Sequence, residues 1–176
     1  MWTPSPEDLH EHLGNSPHAW LTWVDTLAQA AKQLRQRRTP ATLPDGEEVM
    51  IMSDAVCAML LGYAFEFALK GLWVKQGNKI VSGGKLQKIP GGESHQLLRL
   101  AGKVGITATP EEFDALNRLT PFVRFAGRYP VSVNPEEMKP RVVRARGRTV
   151  PGFYSREDFD LARRLLNRLT TQLRFG

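Results

Sequence analysis

Glu66 and Lys70 stand four residues apart in the most apolar stretch of the chain. That spacing puts a carboxylate and an ammonium on one helix face, where they can pair. The pair is either a structural ion pair, tolerated because each charge neutralises the other, or the floor of a polar pocket between helices. His95, Arg124, Arg128 and Tyr129 are the residues that could complete such a pocket. Two or three cations, a carboxylate and an imidazole can bind a phosphate or assist a proton transfer. His95 read alone is equally a hydrogen-bonding residue at a helix start.

The second chemical feature is charge. Residues 118–176 carry 13 basic and 5 acidic side chains, and 12 of those 13 cations are Arg; residues 1–117 carry 11 basic and 13 acidic. Arg grips phosphate with a planar fork, so clustering it attracts nucleic acid, although a solvated cationic face needs no ligand. Lys139, Arg141, Arg144, Arg146 and Arg148 fall within ten residues without an acid among them. In an extended chain Arg144, Arg146 and Arg148 would project from one face. Such an arm can contact RNA, dock a partner or remain solvated.

The elements that must position these groups are helical. Trp20, Val24, Leu27, Ala31 and Leu34 recur at helical spacing after Ser16-Pro17, predicting a first helix to about residue 37. A loop follows over 39–48. The segment 50–75, apolar on nearly every face, reads as the central helix of a bundle. Residues 81–92, with two Gly-Gly pairs and a proline, read as a mobile connection or a short hairpin. A third helix is expected over 94–104, headed by His95. The fourth opens at Thr109-Pro110-Glu111-Glu112, a reciprocal capping sequence, and is interrupted by Pro121. The last begins after Ser155, with Asp158 at its third position and Phe159, Ala162, Leu165, Leu166, Leu169 and Leu173 on its apolar face.

The expectation is therefore one all-α domain over 1–176, an up-and-down bundle of about five helices. It has a leader over 1–15 and a long Pro/Arg-rich basic loop over 129–154, in which a short hairpin has room to form.

Composition excludes several classes. With 41% hydrophobic and 24% charged residues the chain is globular and not disordered. One cysteine rules out a disulfide scaffold or a cysteine-built zinc site. His10 and His12 lack the further ligands a metal site needs, so no metal and no cofactor are expected. No Gly-x-Ser-x-Gly nucleophile turn occurs, and Gly84-Lys85 is followed by Leu86 where a phosphate loop needs Ser or Thr. The uncharged apolar run 55–65 is about half of what a bilayer needs. The start of the chain lacks the features of a secretory signal, so no membrane association and a cytoplasmic location are expected.

Three patterns in this order, Glu66-Phe-Ala-Leu-Lys70, Ser94-His95-Gln-Leu-Leu98 and Arg124-Phe-Ala-Gly-Arg128-Tyr129-Pro130, together resemble the HEPN (higher eukaryotes and prokaryotes nucleotide-binding) superfamily. The resemblance implies a helical bundle, often a homodimer. It implies either a metal-independent ribonuclease of toxin or antiphage systems or an inactive relative that binds RNA or nucleotides. Active members carry Arg, four to six residues, then His. Here Arg124 is followed after four residues by Tyr129, and Phe125 replaces the polar residue common after the Arg. Tyrosine, with an ordinary pKa near 10, is a poor base at neutral pH. The expectation is thus an RNA- or nucleotide-binding protein without ordinary family ribonuclease activity. Glu66, Lys70, His95, Arg124, Arg128 and Tyr129 would form its pocket, and Arg141, Arg144, Arg146 and Arg148 its arm. The rivals are a divergent ribonuclease using His95, Arg124 and Tyr129, and a dimeric protein-interaction module.

Overall fold

The computed structural model describes residues 4–36, 39–42, 46, 48–51, 53–91, 95–129, 134–138, 141–143, 147–149 and 156–176. Its core is α3 (Asp54–Lys75), a helix apolar all round, with Cys57, Leu61, Phe65 and Leu69 among its buried residues. Such a helix must be covered on every side. The cover is α2 (Pro17–Gln36), α4 (Leu97–Val104), α5 (Pro110–Pro121) and α6 (Arg156–Phe175), all of which contact α3. By length and composition α3 could cross a membrane, but most of its apolar window is buried inside the bundle. Burial in the bundle accounts for its hydropathy. The all-α expectation holds.

Local chemistry sets the boundaries. The stretch 1–15 is more than a leader: α1 (Pro6–Gly14) forms because Ser5 Oγ accepts from the Asp8 amide at 3.1 Å while Asp8 accepts from the Ser5 amide at 3.3 Å. The same reciprocal capping starts α5. There Thr109 Oγ1 accepts from the Glu112 amide at 3.3 Å and Glu112 accepts from the Thr109 amide at 2.9 Å. Between α2 and α3 the expected loop is a two-stranded ribbon, β1 (Thr39–Thr42) against β2 (Glu48–Ile51), so α3 begins at Asp54 and not at residue 50. Residues 81–86 form the hairpin β3 (Val81–Ser82) and β4 (Lys85–Leu86). It turns through Gly83 and Gly84, whose φ of 59° and 69° suit a tight turn without a Cβ. Asn15 fastens this hairpin to the end of α1, donating to the Val81 carbonyl and accepting from the Ile80 and Val81 amides.

Pro121 is the last residue of α5, which runs unbroken past Arg118. A proline nitrogen has no hydrogen to donate back along the helix, and the chain continues as a π-helical turn, Phe122–Ala126. This turn packs on α3 at Gly62, where a Cβ would lie 2.3 Å from Val123 Cγ2. Helix α6 lays its expected apolar stripe on the core. It is tied to α5 by two partly buried ion pairs: Arg168 to Glu112 at 2.7 Å, and Arg118 to Asp158. Asp158 pairs with Arg118 of α5, and Ser155, its expected capping partner, lies outside the described residues.

Within 129–154 the described residues form a single 3-10 turn (Pro135–Met138) and the pair β5 (Arg141–Val143) and β6 (Gly147–Thr149). Val143 faces Gly147 in this antiparallel pair, the short hairpin for which the loop has room. Arg144, Arg146 and the side chain of Arg148, which would share one face in an extended chain, lie outside the described residues.

Because the Gly62 contact admits no methyl group, Gly62→Ala is expected to destabilise the fold by about 1–3 kcal/mol through overpacking. Thermal unfolding followed by circular dichroism should show a melting temperature several degrees lower.

Candidate functional site

Glu66 is 1% exposed, yet both of its oxygens are engaged. Lys70 Nζ donates to Oε1 at 2.6 Å, the pairing their spacing anticipates. His95 Nδ1 meets Oε2 at 2.8 Å, a contact between residues 29 apart. A lone buried carboxylate would be costly, and here two hydrogen-bond partners hold it in place. The partners are less deeply buried: 19% of the Lys70 side chain and 35% of the His95 side chain are open to solvent. The group is thus a carboxylate set in the core that carries two polar heads at the surface.

His95 does not head α4, which starts at Leu97. It sits before the helix with φ of 67°, the sole non-glycine residue with positive φ among those described. A left-handed backbone is unfavourable for a residue with a Cβ. Such strain persists where surrounding contacts fix it, often at functional positions. Glu66 supplies that contact.

The aromatic residue beside this triad is Tyr63, one turn before Glu66 on α3. Its ring meets the His95 ring edge-on at 5.9 Å between centroids, and its hydroxyl donates to the Val123 carbonyl at 3.4 Å. Phe67 and Trp20 extend the strip, 5.5 Å apart, with Lys70 Nζ about 6 Å from each ring. Sequence reasoning passed over Tyr63, although Tyr63, Phe67 and Lys70 fall at intervals of four and three and so share a helix face.

The second half of the expected pocket lies at the π-turn. The Arg128 guanidinium donates to the Val123 carbonyl at 3.2 Å and to the Arg124 carbonyl at 2.7 Å, closing the end of that turn. Arg128 also lies 5.7 Å from the ring of Tyr129, which is 57% exposed. Arg124 is exposed. Among the described residues no hydrogen bond or ion pair joins this group to His95 directly. Val123, whose carbonyl accepts from both Tyr63 and Arg128, and the Tyr63 ring link the two halves. The structure thus unites Glu66, Lys70 and His95 and sets Arg124, Arg128 and Tyr129 on the adjoining turn.

The side chains of Arg141 and Arg148, together with Arg144 and Arg146, lie outside the described residues. On α6, Arg163 and Arg164 are exposed. An open groove of about 540 Å³ between the start of α2 and the end of α6 includes none of the candidate residues. Its charged groups are already engaged, Asp25 with Arg174 and Lys75 with the carbonyls of Gln172 and Leu173.

Compared with known families, characterised proteins and solved structures, the chain matches none.

Removing the charge of Glu66 while keeping its size leaves the Lys70 ammonium without its counter-charge. Glu66→Gln is expected to lower stability in urea by about 1–3 kcal/mol. Adding Lys70→Met should then cost less than the two single losses combined, with a coupling of about 0.5–3 kcal/mol in a double-mutant cycle.

Proposed function

We propose that the protein is a HEPN-like helical protein that binds RNA or a nucleotide, without ordinary family ribonuclease activity. The observation that carries this reading is the buried Glu66 carboxylate presenting Lys70 and His95 at the surface. Partly exposed heads keep some hydration for the pair and also leave both groups within reach of a ligand with phosphate and hydroxyl groups. Arg128 and Arg124 on the adjoining turn supply further positive charge. The Arg-rich C-terminal third, including Arg163 and Arg164 on α6, supplies the long-range field that draws a polyanion in. The family's ribonucleases place a histidine after the arginine, and this chain has Tyr129 there, so binding is favoured over cleavage.

One feature favours a divergent, metal-independent ribonuclease as the second reading. His95 is oriented by a carboxylate through Nδ1, the arrangement that prepares a histidine for proton transfer at its other nitrogen. In that case His95 would take the 2′-hydroxyl proton while Arg124 and Arg128 stabilise charge on the phosphorus centre. The resemblance also makes a homodimer the expected assembly.

Incubation with a mixed single-stranded RNA pool without metal tests these readings. The binding reading expects retention without cleavage, weakening about 20- to 50-fold between about 50 and 200 mM salt if three or four phosphates are held. Arg124→Ala should weaken retention. Cleavage abolished by Arg124→Ala or His95→Ala would establish the ribonuclease instead, and no retention at low salt would refute both.

A further inference from the structure

We infer that His95 makes the site selective for ribose over deoxyribose, by accepting a hydrogen bond from a ligand 2′-hydroxyl. The inference rests on the RNA or nucleotide reading of the site and concerns which sugar it accepts.

A carboxylate can only accept hydrogen bonds, so in the 2.8 Å contact between His95 Nδ1 and Glu66 Oε2 the proton must sit on Nδ1. Glu66 is itself fixed, because its other oxygen holds Lys70 at 2.6 Å and the carboxylate is 1% exposed. With the ring neutral, Nε2 is then left as a bare lone pair, an acceptor and not a donor. No hydrogen bond from a described residue reaches Nε2, and 35% of the side chain faces solvent. The edge-on Tyr63 ring and the left-handed backbone restrict the imidazole further.

A bare acceptor repels phosphate oxygens and attracts a hydroxyl. Lys70, held by the other oxygen of the same carboxylate, has two N–H groups beyond the one given to Glu66, and these attract an anion. Acceptor and cation side by side match a hydroxyl next to a phosphate. That is the arrangement at the 2′ and 3′ positions of a ribonucleotide, and DNA lacks its hydroxyl.

Fluorescence polarisation at pH 8 and low salt, with short oligouridine, the matching oligodeoxyuridine and the 2′-O-methyl form, tests this. The wild type is expected to bind the RNA about three- to tenfold tighter than the DNA, the yield of one added hydrogen bond. The 2′-O-methyl form has no hydroxyl proton and should bind like the DNA. His95→Asn, which tolerates the left-handed backbone, should bring the RNA-to-DNA ratio close to one. Glu66→Gln gives an independent check. Lys70 would claim the amide oxygen, turning the amide N–H₂ towards Nδ1 and moving the ring proton to Nε2, and the RNA preference should vanish although His95 remains. Equal binding of RNA and DNA by the wild type, or a preference that survives in either variant, overturns the inference while leaving a nucleic-acid site intact. Binding of neither polymer removes the pocket reading as well.

Discussion

A carboxylate almost sealed from water in the most apolar helix of the chain is the constraint on which the rest depends. Glu66 can remain charged there only if its partners compensate for lost hydration. One of them, Lys70, comes from the same helix and would be available in any folded state of α3. The other must be brought from the far side of the β3–β4 hairpin, and the backbone of His95 is forced into the left-handed region to deliver it. The anchoring of that hairpin by Asn15, at the end of an unexpected helix α1, belongs to the same task. It fixes the segment through which the chain returns to α3.

Pro121 has a comparable influence on the adjoining segment. By withholding a backbone donor it moves the helix into a π-turn, and Val123 in that turn packs tightly on Gly62. The Val123 carbonyl then takes hydrogen bonds from Tyr63 and Arg128. Gly62, Tyr63 and Glu66 lie within a little over one turn of α3, so a single stretch of helix sets the position of the Arg124–Tyr129 segment and of the buried carboxylate. π-turns recur at functional sites because they reposition side chains without ending a helix.

What could be read in the sequence was local. The Glu66–Lys70 pair, the Thr109–Glu112 cap and the apolar stripe of α6 follow from spacings of three and four residues, and all three are present. The Ser5–Asp8 cap follows the same grammar as Thr109–Glu112. A proline-containing start reads as a leader and hides it. Proline at residue 121 signals an interruption one turn earlier, near Arg118, whereas the hydrogen-bond register shifts only after it, a difference that spacing does not encode. His95 meeting Glu66, Tyr63 meeting Val123 and Arg118 meeting Asp158 are contacts between elements, and no periodicity encodes them. Alternation of Arg144, Arg146 and Arg148 is a strand signal, but alternation does not say where a strand begins, ends or pairs.

The most direct test of the central claim, that buried Glu66 fixes the chemical identity of the His95 ring, is a long-range proton–nitrogen NMR spectrum of the histidine side chains. With the ring neutral, His95 is expected to carry its proton on Nδ1, with Nε2 showing the shift of an unprotonated nitrogen. A His95 ring protonated on Nε2 in the wild type would mean that the carboxylate does not hold it, and the account of the site would fall.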